Sequence, residues 1–416
     1  MIRDLMKIVV LLTIPTLPVL PQTIEYTKRT KNEVREGPGS YYRLLAVLPR
    51  GVAITILKRQ EGWVNFLRGE KKAQQELLAA WMSKNCLIDK KPNDVLKDLK
   101  IEWNSPKASP SSIAAAIRGF AVRYGRTKPP AVDSLLNLQE TIEPEEYLRF
   151  KQETKTGMRG AAQQKALPAE EALLTDYDVT IAEEGIGLGI ASRVAAEGLV
   201  NDPKLSKYVN LIATLLMESS GAYDTQVKIY ITRGEAINAV AIPGGHIFIT
   251  KKIIDMCNDE AELAGVIAHE IMHVLYNHGV KEIHQRLNNI KMDEAMAELD
   301  EEAGEQPGEV IQELEDFAIE AYETVNKPRL LSYEAEADRG AAFLLAETGY
   351  DPRAVGRMLL NMREVVGKSP DIEKENPFLH RDIQKRYDKI LAVIQKSLAQ
   401  TKGAMNAERF RKEMGR

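Results

Sequence analysis

The sequence predicts an α+β chain, with a small amino-terminal β-barrel followed by a mostly helical domain that carries a small β-sheet. Three observations predict this. Short apolar runs broken by turn residues fill the chain up to about residue 90. Val227, Ile229 and Ile231 alternate as in a strand, and a second strand-like run follows at Ile247 to Ile249. From Asp259 onward apolar residues recur at helical spacing.

The first 21 residues stand apart. Arg3 and Lys7 precede an apolar run from Ile8 to Leu20, interrupted by Pro15 and Pro18 and too short to cross a bilayer comfortably. The segment 1–21 reads as a signal peptide, with an uncleaved membrane tether as the alternative. Either way the remainder is expected to be exported, in the periplasm or another extracytoplasmic space, with no multi-span membrane region.

Residues 22–90 supply the β-rich unit. Leu44 to Leu48, Val52 to Leu57 and Trp63 to Leu67 are separated by turns at Gly37-Pro38-Gly39, Pro49-Arg50-Gly51 and Glu61-Gly62. Residues 91–175 form a connecting region punctuated by prolines, with helical patches at Ser112 to Tyr124 and Pro144 to Thr154. Residues 176–397 follow as one α+β domain, and 398–416 as a carboxy-terminal tail. At 416 residues the chain is too long for one ordinary core. A net charge of -4 leaves no basic footprint for nucleic acid. Two cysteines, Cys86 and Cys257, fall in different domains, which excludes a disulfide scaffold and a cysteine-built metal site.

The chemistry lies in the helix that starts at Asp259. Asp259 is placed to cap its first turn, with Glu262 three residues on completing a capping box. Leu263, Val266, Ile267, Ile271 and Val274 mark it as largely buried, so polar residues inside it need a partner. They are His269, Glu270 and His273. Residues four apart share a helix face, so the two imidazoles can meet one Zn2+ ion. Glu270 is turned about 100° away and sits beside such an ion as a general base. A second helical segment, Ser332 to Gly340, offers Glu334 and Asp338 on one face. A catalytic zinc takes three protein ligands and keeps one position open, and Glu334 fits the third. Asp338 fits as the group holding the outer nitrogen of a ligating histidine. Glu336, half a turn away, is expected in solvent.

These motifs resemble the gluzincin metallopeptidase family that includes the heat-shock protease HtpX, the CAAX prenyl proteases and the periplasmic chaperone-proteases. The resemblance runs from about residue 176 to 395. It covers HExxH, the downstream Glu334-Ala-Glu-Ala337-Asp338 and the stretch Asn238-Ala239 followed by Pro243-Gly244-Gly245-His246-Ile247. Glu184-Gly185-Ile186-Gly187, Tyr208-Val209-Asn210 and Glu262-Leu263-Ala264 are similar to the family as well. It implies a zincin-type peptidase fold, one zinc per chain, a protein or peptide substrate, and Asn238 and Ala239 as the strand edge that holds it. Gly244 to Ile249 reads as a turn entering the hairpin partner of the strand at Val227 to Ile231. His380 and Arg386 keep the family's histidine-to-arginine spacing without its proline. Either is expected to steady the oxyanion, or His380 to latch the open zinc position. Leu330-Leu331 replaces the family's ser-arg and leaves its cleft arginine without a counterpart at that position. His278 is read as a helix-end residue or as support for the ligands, His246 as lining the cleft, and His284 as solvated. The acidic run from about Asp293 to Glu320 is read as solvated helices and a mobile loop.

The amino-terminal unit resembles a bacterial SH3-like domain through Val34-Arg35-Glu36-Gly37-Pro38, Leu48-Pro49-Arg50-Gly51, Glu61-Gly62-Trp63-Val64 and Trp81. It departs from it in the inserted Lys71 to Leu78 and in Ala80, where glycine is usual. The resemblance implies a cell-wall or envelope-protein partner. The function expected is a cell-envelope zinc endopeptidase acting on misfolded or misassembled proteins. The alternative is a chaperone-like or envelope-binding assembly factor with the same fold and little proteolysis.

Overall fold

Seven short strands open the described part of the chain, in a computed structural model that describes residues 23–67, 79–92, 135, 142–156, 181–234, 236–286, 329–368 and 383–416. They are β1 (Ile24–Thr27), β2 (Asn32–Arg35), β3 (Leu44–Leu48), β4 (Ala53–Gln60), β5 (Trp63–Leu67), β6 (Ala79–Ser83) and β7 (Leu87–Ile88). Alternation buries one face: Val34, Leu45, Ile54, Val64, Phe66 and Met82 form a core of their own. The strand order is β3-β2-β6-β5-β4-β1-β7. Among the described residues no ladder joins β3 to β7, so the sheet is open where a closed barrel was expected. Register shifts at Val34/Arg35 and Ile56/Lys58 bend it instead. The expected insertion at Lys71 to Leu78 lies outside the described residues.

This sheet leans on the second unit through polar contacts. Arg29 Nε and a terminal nitrogen reach Asp224 at 3.0 and 2.9 Å, with both side chains buried. Asn85 donates to the Gly221 carbonyl at 2.8 Å and to Asp224 at 3.1 Å. The Ser40 amide donates to Glu218 at 2.8 Å.

The helical unit begins with α1 (Pro144–Thr156), α2 (Ile181–Ala196) and α3 (Pro203–Ser220). Asp202 starts α3 by accepting from the Leu205 amide, Pro203 follows where its missing N–H costs nothing, and Gly221 ends it in the left-handed region. Three strands come next: β8 (Lys228–Thr232), β9 (Ala239–Ile242) and β10 (His246–Thr250). Their order is β8-β10-β9. The hairpin is therefore β9–β10, and β10 runs parallel to β8, not back along it as the turn signal suggested. Gly245 makes the turn: at φ 82° a Cβ there would sit 1.8 Å from the Gln226 carbonyl oxygen.

The sheet is followed by α4 (Lys251–Met256), α5 (Glu260–Leu275), α6 (His278–Arg286), α7 (Leu331–Thr348), α8 (Ala354–Lys368), α9 (Ile383–Ser397) and α10 (Ala407–Met414). Asp259 caps α5 as expected, accepting from the Glu262 amide at 2.9 Å. Glu262 reaches one residue further back than a capping box requires, to the Asn258 amide at 2.9 Å. Arg357 of α8 spans Asp259 and Glu262, which anchors this end of α5.

The segment 398–416, set apart in the sequence as a tail, packs on this core. Phe410 of α10 is buried, and Arg409 pairs with the fully buried Glu260 at the start of α5. Glu260 also accepts from Tyr208 and Tyr350, each at 2.7 Å, and from Asn406 at 3.0 Å. A charge this deep needs that many partners. Neither Cys86 nor Cys257 forms a disulfide; both are buried, one in each core, so no bridge joins the units. No helix among the described residues is long and apolar enough to cross a membrane. The segment 1–21 read as a signal peptide, the stretch Ser112 to Tyr124 read as helical, the acidic run and His380 lie outside the described residues.

Candidate metal centre

Helices α5 and α7 are brought into close contact by Gly340, where a Cβ would stand 2.5 Å from the end of Met272. That closeness sets Glu334, in the first turn of α7, against the histidine face of α5. His269 Nε2 and His273 Nε2 are 3.1 Å apart, and the Glu334 oxygens lie 3.5 and 3.4 Å from them. One donor atom from each residue lies within 4.8 Å of the others, which can hold a metal ion. Zinc fits this donor set, two imidazoles and one carboxylate in a buried site. Next to it, Glu270 Oε2 is buried with no hydrogen-bond partner among the described residues, so the site has a polar atom awaiting a ligand.

The electrostatics follow from burial and pairing. Burial opposes charge on His269, but Asp338 and Glu334 outweigh it and push that imidazole up to about 10 in the metal-free chain. His273 is driven well below the usual histidine range by burial, helped by Arg329. Burial raises Glu270 above the ordinary carboxylate range, the direction a general base needs. Glu334 goes the other way: burial would raise it, yet Arg386 and the two histidines hold it well below.

Asp338 Oδ1 stands 3.0 Å from His269 Nδ1, at the position of a supporting group, as an ionic contact and not an aligned hydrogen bond. Arg386 of α9 is buried, bound to both oxygens of Asp338 at 2.7 Å and 2.6 Å from Glu334. Its nitrogens are thus committed to carboxylates, where an oxyanion donor was expected. Arg329, just before Leu330-Leu331, lines the cleft. It donates to Glu282 at 3.2 Å and to the Ala241 carbonyl at 2.7 Å. His278 opens α6 and backs a ligand histidine, so both readings of it hold. It lies 2.8 Å from His273 Nδ1 and 3.1 Å from Glu336, and burial, with Arg329 and Lys281 nearby, holds it at about 3. Glu336 is half-exposed, as expected of a solvated residue, but its carboxylate is spent on His278. His246 stacks on Tyr230 with ring centroids 5.9 Å apart and does not line the metal cleft.

Asn238 and Ala239 border the same cleft as His269 and Glu270. Asn238 bonds β10 through its carbonyl, which accepts from the Thr250 amide at 2.9 Å. By alternation Ala239 and Ala241 then turn their amides and carbonyls away from β10. Ala241 already gives its carbonyl to Arg329. The side-chain oxygen of Asn238 is buried without a partner among the described residues.

Comparison with known proteins bears on the same region. Residues 203–401 match peptidase family M48. The chain is 27% identical over 235 residues to the beta-barrel assembly-enhancing protease of Yersinia pestis, covering 52% of this chain and 47% of that protein. The protein of that name from Escherichia coli (strain K12) is 27% identical over 189 residues, 43% of this chain and 37% of the relative. The mitochondrial metalloendopeptidase OMA1 of Schizosaccharomyces pombe is 33% identical over 76 residues, 18% of this chain and 23% of that protein. The chain spans less than half the length of these relatives.

Proposed function

Residues 203–401 form a peptidase family M48 domain, and on that premise we propose that the protein is a zinc-dependent endopeptidase of the cell envelope. The observation that carries the proposal is the meeting of His269, His273 and Glu334 beside the unpartnered Glu270 oxygen. One zinc ion per chain would be held by those three residues. Bound there, zinc lowers the pKa of water and polarises a peptide carbonyl.

The rest is done by the chain. Glu270 accepts a proton from the attacking water and returns it to the leaving amine. Asp338 orients His269, and Arg386 orients Asp338 and Glu334, which makes Arg386 a positioning residue in this reading. His380 is left as the candidate for steadying the oxyanion or for latching the site. Ala239 offers main-chain groups to an extended peptide, with Asn238 beside it at the border of the cleft. Misassembled envelope proteins are the substrate class we propose, from the sequence resemblance together with relatives named as beta-barrel assembly-enhancing proteases. The proposed export rests on the reading of segment 1–21 from the sequence alone. The SH3-like assignment of residues 22–90 and its envelope partner rest on the sequence resemblance alone.

Purified protein should contain zinc and cleave an unfolded protein until a chelator is added. Glu270→Gln should retain the zinc and lose cleavage. Hydrolysis that survives in Glu270→Gln, or that ignores the chelator, contradicts the proposal.

A further inference from the structure

Behind His273, on the side away from the proposed ion, two more residues stand in line. His273 Nδ1 is 2.8 Å from His278 Nδ1, and His278 Nε2 is 3.1 Å from Glu336 Oε2. His278 has no exposed side-chain surface and lies flat on Tyr333, with ring centroids 4.3 Å apart and planes 13° apart. Its ring is therefore held in place from the face as well as from both nitrogens. At the far end, Glu336 is 57% exposed, so the line runs from the buried site to solvent.

We propose that Glu336 and His278 form a positioning relay that fixes the tautomer and orientation of His273 for the metal. It rests on the metal-site reading above. An ionised carboxylate only accepts, so the proton between Glu336 and His278 sits on His278 Nε2. A neutral His278 then has a bare Nδ1, which accepts from His273 Nδ1. His273 Nε2 is left as the unprotonated nitrogen, its lone pair turned to where His269 Nε2, at 3.1 Å, and Glu334 converge. One carboxylate at the surface thus decides each proton position down to the ligand atom.

The two ligand imidazoles are supported differently. His269 has a carboxylate directly behind it, at 3.0 Å. His273 has one too, but an imidazole lies between. Tyr333, Glu334 and Glu336 occupy one short stretch of α7, so the turn that delivers the carboxylate ligand also delivers the relay's end and the ring that steadies its middle. Residues two apart on a helix do not share a face. That is how Glu336 reaches around to His278 while Glu334 faces the ion.

The test is a double-mutant cycle on zinc affinity, read by competition with a chromophoric chelator in the full chain. Supporting groups behind ligating histidines are worth about 10- to 100-fold in metal affinity. We expect Glu336→Ala to weaken zinc binding about 10-fold and His278→Phe about 100-fold, at the two ends of that range. The double variant should be no weaker than His278→Phe alone, because Glu336 acts only through His278. Glu336→Gln, whose amide oxygen still accepts, should recover most of the loss. Glu336 is half in solvent, so its variants keep the fold and the cycle remains readable. Additive losses in the double variant, or wild-type affinity in Glu336→Ala, overturn the relay and leave the metal site standing. A wild-type chain that binds no zinc overturns the metal-site reading itself, and the relay with it.

Discussion

Arg386 grips Asp338 through two parallel bonds of 2.7 Å, one from Nε and one from a terminal nitrogen, and so ties α9 to the carboxylates of α7. Its remaining terminal nitrogen lies 2.6 Å from Glu334. Burial would raise Asp338, but this guanidinium outweighs it and holds the carboxyl at about 2. Two buried carboxylates can stay ionised in the metal-free chain because one planar cation serves both.

Removing that cation should be costly. In Arg386→Gln, Asp338 and Glu334 lose their shared partner, and breaking a buried pair costs about 3–5 kcal/mol. Urea denaturation of the metal-free protein is expected to show a loss of that size. Added zinc should recover part of it, since the ion restores positive charge beside Glu334. A loss well under about 1 kcal/mol, the scale of a surface pair, contradicts the assignment.

Acid should act on the small sheet through His246. Burial, with Lys228 nearby, lowers this imidazole from 6.5 to about 4. Its folded pKa is depressed, so an unfolded chain binds more protons between those values. The stability it contributes is complete above about pH 6.5 and is lost as pH falls toward 4, up to about 3 kcal/mol in all. Replacing it in His246→Gln should flatten the pH dependence of the unfolding free energy in that window. An unchanged slope contradicts the prediction.

The carboxy-terminal segment should be needed for a stable domain. Arg409→Ala leaves Glu260 with tyrosine and asparagine partners but no cation, so a loss of about 3 kcal/mol is expected. Glu260→Gln in the same chain should restore part of it by removing the buried charge. A thermal midpoint unaffected by Arg409→Ala would mean that α10 is a loosely attached appendage.

How far the sequence could be read depends on how local each signal is. The cap at Asp259 and the facing of His269 and His273 follow from spacing within one helix, so they were legible. Glu334 and Asp338 needed only a second helix with the same spacing, and the resemblance brought the two together. Arg329 was hidden because it precedes α7: Leu330 is extended, at φ -62° and ψ 136°, so helical register fails to say which pre-helix residue enters the cleft. The partner of Glu336 was hidden for a related reason. A helical wheel gives the face on which a carboxylate lies, but His278 comes to that face on another helix. Parallel pairing of β8 with β10 left no mark, because a glycine turn marks a hairpin and not which strand it pairs. In α10 a single buried aromatic, Phe410, carries the packing of a strongly polar helix.

The central claim is that three side chains from two helices enclose one catalytic ion. X-ray absorption at the zinc edge of the purified full chain tests it most directly. The account predicts two imidazole nitrogens and carboxylate or water oxygens at about 2.0–2.2 Å, with the signal lost in Glu334→Ala. Sulfur scattering at about 2.3 Å, or an unchanged zinc shell in Glu334→Ala, contradicts it.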